Sequence, residues 1–136
     1  MRKTLIEANN IYKTYQQGTN KIEILNNFSV ILNEGDFLAI TGPSGSGKTT
    51  LLNILGLIDK FDNGLLKYSG NDVGNMSETS KNRMRLDNLG FVYQSNNLFE
   101  DFTATENVAL PLLLAGSSKK EAFLKSKDCL AQFGLS

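Results

Sequence analysis

The sequence has no histidine, no tryptophan, one cysteine and only two prolines in 136 residues. Each shortage removes a class of chemistry. Without histidine there is no Ser-His or Cys-His nucleophile pair and no imidazole metal ligand. One cysteine, Cys129, cannot close an intrachain disulfide or build a cysteine zinc cluster, and it favours a reducing, cytosolic setting. Lysine plus arginine equals aspartate plus glutamate, 14 against 14, so no basic field marks the chain for nucleic acid. No apolar run approaches the ~20 residues that span a bilayer, and residues 1–4 lead into no signal-like apolar stretch. What is there, at 40% hydrophobic and 21% charged, is the composition of one small globular domain or part of a larger one.

Residues 5–15 alternate weakly, with Ile6, Ala8, Ile11 and Tyr15 among polar neighbours, which predicts a half-exposed strand. A turn at 16–20, a returning strand at 22–25, a third short strand at Phe28, Val30 and Leu32 and a turn at 33–36 follow. Together they predict an N-terminal antiparallel β subdomain. The pattern then changes. Phe37-Leu38-Ala39-Ile40-Thr41 is a continuous apolar run, expected as a strand buried on both faces of a parallel sheet. Residues 49–55 are apolar nearly all round and predict a buried helix. Turns are expected at 62–64 and 69–72, on either side of a strand at 65–68. An exposed polar helix is expected over 78–86 and a second buried strand over 89–93. A helix over 105–114 should kink or restart at Pro111. Ser118 and Glu121 have capping-box spacing ahead of a last helix that carries Phe123, Ser126, Leu130 and Phe133 and ends at Gly134. Cys129 falls on its apolar side and is expected to be buried. There is no internal repeat, low-complexity tract or dividing linker, so residues 1–136 read as one partial domain.

The loop between the first apolar run and the helix carries the chemistry. Gly42-Pro43-Ser44-Gly45-Ser46-Gly47-Lys48-Thr49 matches G-x-x-x-x-G-K-[ST] at every fixed position. Phosphate is a dense anion, and backbone N–H groups can surround it only where no Cβ atoms block the approach. Glycines at 42, 45 and 47 allow that wrap. The helix that follows adds its partial positive end beneath the phosphates. Gly42, Ser44, Gly45, Ser46, Gly47, Lys48, Thr49 and Thr50 are the expected cradle. Lys48 can reach the β- and γ-phosphates, and the Thr49 hydroxyl can ligate Mg2+. The bland competitor is a chance glycine loop. An apolar run before it and an apolar helix after it are the context the motif needs.

From Ile6 to Leu135 the chain resembles the ATP-binding subunit of ABC transporters. The stretch 41–57, T-G-P-S-G-S-G-K-T-T-L-L-N-I-L-G-L, is similar to that family's P-loop and helix, and Phe91-Val92-Tyr93-Gln94 to its Q-loop. The stretches 53–60 and 109–116 resemble one branch, that of the macrolide-exporter, lipoprotein-release and antimicrobial-peptide-resistance ATPases. The resemblance implies an α/β fold, a P-loop NTPase with a RecA-like core and an N-terminal antiparallel β subdomain, stopping before the signature helical segment is complete. It implies ATP and Mg2+ as cofactors, Lys48 and Gln94 as catalytic residues, and Thr49 and Gln94 at the metal. Tyr15 stands where the family keeps an aromatic that stacks on adenine, although a strand aromatic packed on a neighbour would look the same. Gln94, taken alone, would be an ordinary strand-end polar residue. The implied partners are a transmembrane permease subunit and a second nucleotide-binding subunit in a dimer, with no nucleic acid. The implied location is cytoplasmic, peripheral on the inner face of the cell membrane. In the family the region after the Q-loop receives a helix of the membrane subunit, so Leu98, Phe99 and Phe102 are expected at that surface.

The family's machinery continues past this stretch with an L-S-G-G-Q signature, an apolar strand ending in Asp, a catalytic Glu and a switch histidine, none of which the sequence contains. Leu55-Gly56-Leu57-Ile58-Asp59 has the form of such a strand but follows Lys48 too closely to lie beside it, so Asp59 is not read as that acid. Two rival functions stay open. A small P-loop kinase would need an arginine-rich lid, and the only closely spaced arginines are Arg83 and Arg85. A non-catalytic nucleotide-binding or docking module would need none of the missing parts.

Overall fold

The computed structural model describes residues 2–95 and 97–135, which fall into two compact units divided between Asn82 and Arg83. The first is built on an antiparallel sheet in the order β2-β1-β3-β4. Strands β1 (Thr4–Gln17) and β2 (Asn20–Asn33) form a long hairpin, β3 (Asn63–Tyr68) pairs with the other edge of β1, and the short β4 (Asn71–Asp72) closes the row. This is the expected antiparallel subdomain with one revision. The returning strand and the third short strand are a single β2. The dividing point is a kink, because Asn27 and, across the hairpin, Asn10 both take positive φ. Asn10 there donates its side-chain amide to Asn27 and its backbone N–H to Ser29 Oγ at 2.9 Å, so the irregularity is paired across the strands.

Helix α1 (Lys48–Leu55) buries Leu51, Ile54 and Leu55, while Leu52 is 55% exposed. The run that reads as apolar all round is therefore one-sided in this chain. With Ala8, Ile11, Leu25, Leu57, Leu66, Tyr68 and Val73 these residues form the core of the first unit. Tyr68 is buried with a hydroxyl that meets no partner, and burial raises its pKa.

Two segments expected as buried strands are not strands. Residues 37–41 and 89–93 are irregular, and Phe37 and Val92 are almost fully exposed. A parallel strand exists only through its neighbours' hydrogen bonds, and among the described residues neither segment finds one. Local apolarity is present in both; a pairing partner is not.

In the second unit, α2 (Glu78–Asn88) crosses the boundary with no buried residue, as its polar sequence predicts. Helix α3 (Ala104–Leu114) continues through Pro111 without restarting, and the Ala115 N–H donates to the Pro111 carbonyl at 3.0 Å. Proline removes one N–H and the ladder resumes beyond it. Helix α4 (Lys119–Gln132) starts at Ser118, whose Oγ accepts from the Glu121 N–H at 3.3 Å. It ends at Gly134 with bonds from Gly134 N to Ala131 O and from Leu135 N to Leu130 O, each 3.0 Å. Its buried stripe, Ala122 and Ser126, stops a turn early, so Cys129 is exposed rather than buried.

The start of α3 holds a full capping box that the sequence reading overlooked. The Thr103 hydroxyl accepts from the Glu106 N–H, and Glu106 Oε2 accepts from the Thr103 N–H at 2.9 Å. The bonds from the Thr103 side chain and backbone hold the Glu106 carboxyl below its ordinary pKa. A depressed carboxylate contributes stability above its unfolded pKa and loses it as pH falls through the folded value. Acidification into and below the carboxylate range should therefore loosen the first turn of α3. Amide exchange at 104–107, corrected for its intrinsic pH dependence, should become several-fold less protected, and Thr103→Ala should show that loss already at neutral pH.

Candidate functional site

The loop over 42–47 delivers the chain into α1 through Gly47, which takes φ +86°. A Cβ there would lie 2.8 Å from Ile24 Cγ2 and 3.0 Å from the Ile24 carbonyl, so the turn approaches β2 as closely as only glycine permits. Gly47 is also the N-cap of α1, and no side chain satisfies the first N–H groups of the helix. They open on a cavity of about 250 Å3 lined by Ile24, Ser44, Gly45, Gly47, Lys48, Thr49 and Thr50. No carboxylate is among those lining residues. Lys48 Nζ donates to the Gly42 carbonyl at 2.9 Å and the Pro43 carbonyl at 2.6 Å, which straps the start of the loop and keeps the cation beside the cavity. The loop closes further through the Ser46 N–H on the Pro43 carbonyl at 3.3 Å. Six expected cradle residues are thus gathered on one cavity. Gly42 meets it through Lys48, and Ser46 is not on the wall.

Tyr15, near the end of β1, is 40% exposed and donates its hydroxyl to Asp59. That bond and, less, its burial raise the Tyr15 pKa, against the opposing effects of the Thr50 side chain and Lys13.

Gln94 belongs to the second unit, in an exposed irregular stretch. Leu98, Phe99 and Phe102 are all exposed there, and the two phenylalanine rings sit 5.3 Å apart. They line a shallow depression of about 530 Å3 with Asn97, Glu100, Ala104 and Asn107. Asn107 holds this loop on α3: its Oδ1 accepts from the Phe99 N–H at 2.9 Å, and its Nδ2 donates to the carbonyls of Phe99, Phe102 and Thr103 at 3.1 Å. Sequence reasoning missed Asn107, Lys13 and Asp59 as organising residues. The signal of Lys13 and Asp59 is a contact between distant positions, which no local pattern carries, whereas Asn107 bonds residues only a few positions before it.

These features define a class. A glycine loop feeding an uncapped helix N-terminus, with a lysine strapped across it, is a P-loop, and the model of the family described as ABC transporter matches residues 25–136. The chain belongs to the ABC transporter family. It is 42% identical over 135 residues to the lipoprotein-releasing system ATP-binding protein LolD of Legionella pneumophila (strain Paris), covering 99% of this chain and 60% of that protein. The protein of the same description from Pseudoalteromonas translucida (strain TAC 125) is also 42% identical, with 99% and 58% covered. The chain thus spans about three-fifths of the length of the curated relatives it matches. Among solved structures, a dimeric post-hydrolysis state of an ATP-binding cassette bound to ADP and Pi superposes with a TM-score of 0.85 at 36% identity, over 93% of this chain and 56% of that one. The fold is accordingly that of a P-loop α/β nucleotide-binding domain with an antiparallel β subdomain, present in part.

Proposed function

We propose that this chain is the nucleotide-contacting part of an ABC transporter ATP-binding subunit, coupling Mg-ATP binding and hydrolysis to the work of a membrane partner. The observation that carries the reading is the acid-free cavity at the uncapped N-terminus of α1, with Lys48 at its edge. Its lining fits a polyphosphate: the uncapped start of α1 and the Lys48 cation border it, and Gly45 and Gly47 bring backbone to its wall without a Cβ. Gly42, Ser44, Gly45, Ser46 and Gly47 form the loop; Lys48 meets the β- and γ-phosphates; Thr49 and Thr50 supply hydroxyls beneath them. Mg2+, when bound, would neutralise phosphate charge, with the Thr49 hydroxyl assigned to it in the first unit. Tyr15 is assigned to the adenine face. The likeness to lipoprotein-releasing ATP-binding proteins supports release of a lipoprotein as the coupled task. A permease helix would seat on the exposed apolar loop of Leu98, Phe99 and Phe102, and a second nucleotide-binding subunit would face the P-loop, at the inner surface of the membrane.

Residues 1–136 alone should bind Mg-ATP weakly and without appreciable turnover. Transfer to water needs an oriented nucleophile and charge neutralisation in the transition state. Lys48 and Thr49 supply part of that. The general base, the second acid of the metal site and a facing signature loop are not in the sequence. Each is commonly worth ~10²-fold or more, though such losses do not simply add. Phosphate release from the purified chain with Mg-ATP, against a Lys48→Ala control, is the measurement. Steady release that vanishes in the control would overturn the division of labour proposed for this segment.

A further inference from the structure

Lys13 lies on β1, yet it is only 7% exposed, which is rare for lysine unless it is paired. Its Nζ donates to Asp59 Oδ1 at 3.2 Å and to the Lys60 carbonyl at 2.6 Å, and it stands 4.8 Å from the centroid of the Tyr15 ring. Tyr15 in turn donates its hydroxyl to Asp59 Oδ2. Asp59 also accepts from the Lys60 N–H at 2.7 Å. Burial alone would lift its pKa, but the bonds from Tyr15, Lys60 and Lys13 prevail and keep the carboxyl below its ordinary value. The next turn is fastened as well: the Asp62 N–H donates to the Tyr12 carbonyl at 2.9 Å, and Asp62 Oδ2 accepts from the Thr14 N–H at 2.7 Å. Residues 59–62 are therefore laced along 12–15, and the lacing converges on one aromatic ring.

A half-exposed tyrosine ordinarily samples several rotamers, and ordering it costs affinity when a ligand stacks on it. Here the ring is held at its hydroxyl by Asp59 and on one face by the Lys13 ammonium. We infer that Lys13 and Asp59 are positioning residues that clamp the Tyr15 ring by its hydroxyl and one face, so that the opposite face is presented, pre-ordered, to the base of a nucleotide. The inference rests on the proposed assignment of Tyr15 to adenine. It adds two residues that touch no ligand themselves and act only through the ring. It also explains why a lysine is buried on a strand: its charge is used against the carboxylate and the ring, with the solvent excluded.

The test compares two probes on the full chain by calorimetric titration: Mg-ATP, which has a base, and Mg-bound inorganic triphosphate, which has none. The quantity read is the preference for ATP, the ratio of the two dissociation constants. Tyr15→Leu removes the stacking surface and should cut the preference about tenfold. Lys13→Met and Tyr15→Phe keep volume and ring but undo the clamp. Each should cut the preference about threefold to tenfold while triphosphate binding stays at the wild-type value. Asp59→Asn, which still accepts from the phenol but cannot pair with Lys13, should fall between these and wild type. If Tyr15→Leu lowers the preference and the Lys13 and Phe variants do not, the clamp is refuted while Tyr15 keeps its assignment. An unchanged preference in all four refutes the assignment of Tyr15 and the clamp with it. Should Lys13→Met lose both probes equally, its role is structural, and Tyr15→Phe, which removes one oxygen, decides: an unaltered preference there overturns the inference.

Discussion

Lys48→Ala should weaken binding of Mg-ATP and of inorganic triphosphate by the same factor, roughly 100-fold, leaving the preference between them untouched. The lysine is the only cation among the described residues that line the P-loop cavity. Its Nζ already makes two short bonds to loop carbonyls, so it is held near the anion position before any phosphate arrives. A hydrogen bond to a charged group is worth ~1.5–3 kcal/mol net, and one near the upper end of that range accounts for a loss of this order. Part of the loss has another origin, because the same bonds tie Gly42 and Pro43 into the loop. Lys48→Met keeps the packing of the stem and should lose nearly as much, since charge is the larger component. Lys48→Arg should not restore wild-type affinity, because a planar fork does not replace a point charge in a narrow loop. Titration of both probes checks this, and undiminished triphosphate binding in the Ala variant would remove Lys48 from the cradle.

Much of this site was legible because a P-loop is a local object. Eight consecutive residues, 42–49, specify a loop, a helix start and a cation, and all of it appears within that stretch. The hairpin was legible for the same reason: alternation in β1 and β2 reports a half-buried sheet whose partners are adjacent in sequence. The strands expected at 37–41 and 89–93 failed differently. Their apolarity states what they would do with neighbours, and a parallel strand takes its neighbours from remote segments. Leu52 and Cys129 show the same limit, since an apolar or small residue is buried only where something covers it. Lys13 is the converse. A lysine in a strand reads as solvent-facing, and only the return of residues 59–62 along β1 makes it interior. Asp59, discarded as a metal-site acid, acquires its proposed work from that same return. The capping box at Thr103 and Glu106 was present as a local pattern and passed unread, so it was the one avoidable omission.

Gly64→Ala should be the most damaging single-methyl change in the first unit, lowering stability by about 3 kcal/mol or more. Gly64 has φ +117°, a region that non-glycine residues avoid. Space is the larger obstacle. A Cβ built there lies 2.4 Å from the Asn10 carbonyl oxygen and 2.8 Å from that of Asn9, both backbone atoms with no freedom to swing aside. The position sits where β1 and β3 shift register, between the pairs Asn9–Leu65 and Tyr12–Asn63, and opposite Asn10, itself at positive φ. Relief would have to come from separating the strands, and Leu66, one of the most completely buried side chains, is on the strand that would move. The same displacement would pull residues 59–62 away from 12–15, because Asp62 is bonded to both Tyr12 and Thr14. Urea unfolding of wild type and variant should show the midpoint fall with the slope unchanged, and the Gly64→Ala chain should lose preference for ATP over triphosphate as the Tyr15 clamp loosens. Gly70→Ala is the contrast: its φ is also positive, at +84°, but a Cβ there meets nothing within 4 Å, so its cost should be confined to backbone strain, about 1–2 kcal/mol. Equal destabilisation by the two substitutions would mean that the clash with Asn9 and Asn10 contributes nothing, and that the sheet absorbs a methyl group at its kink.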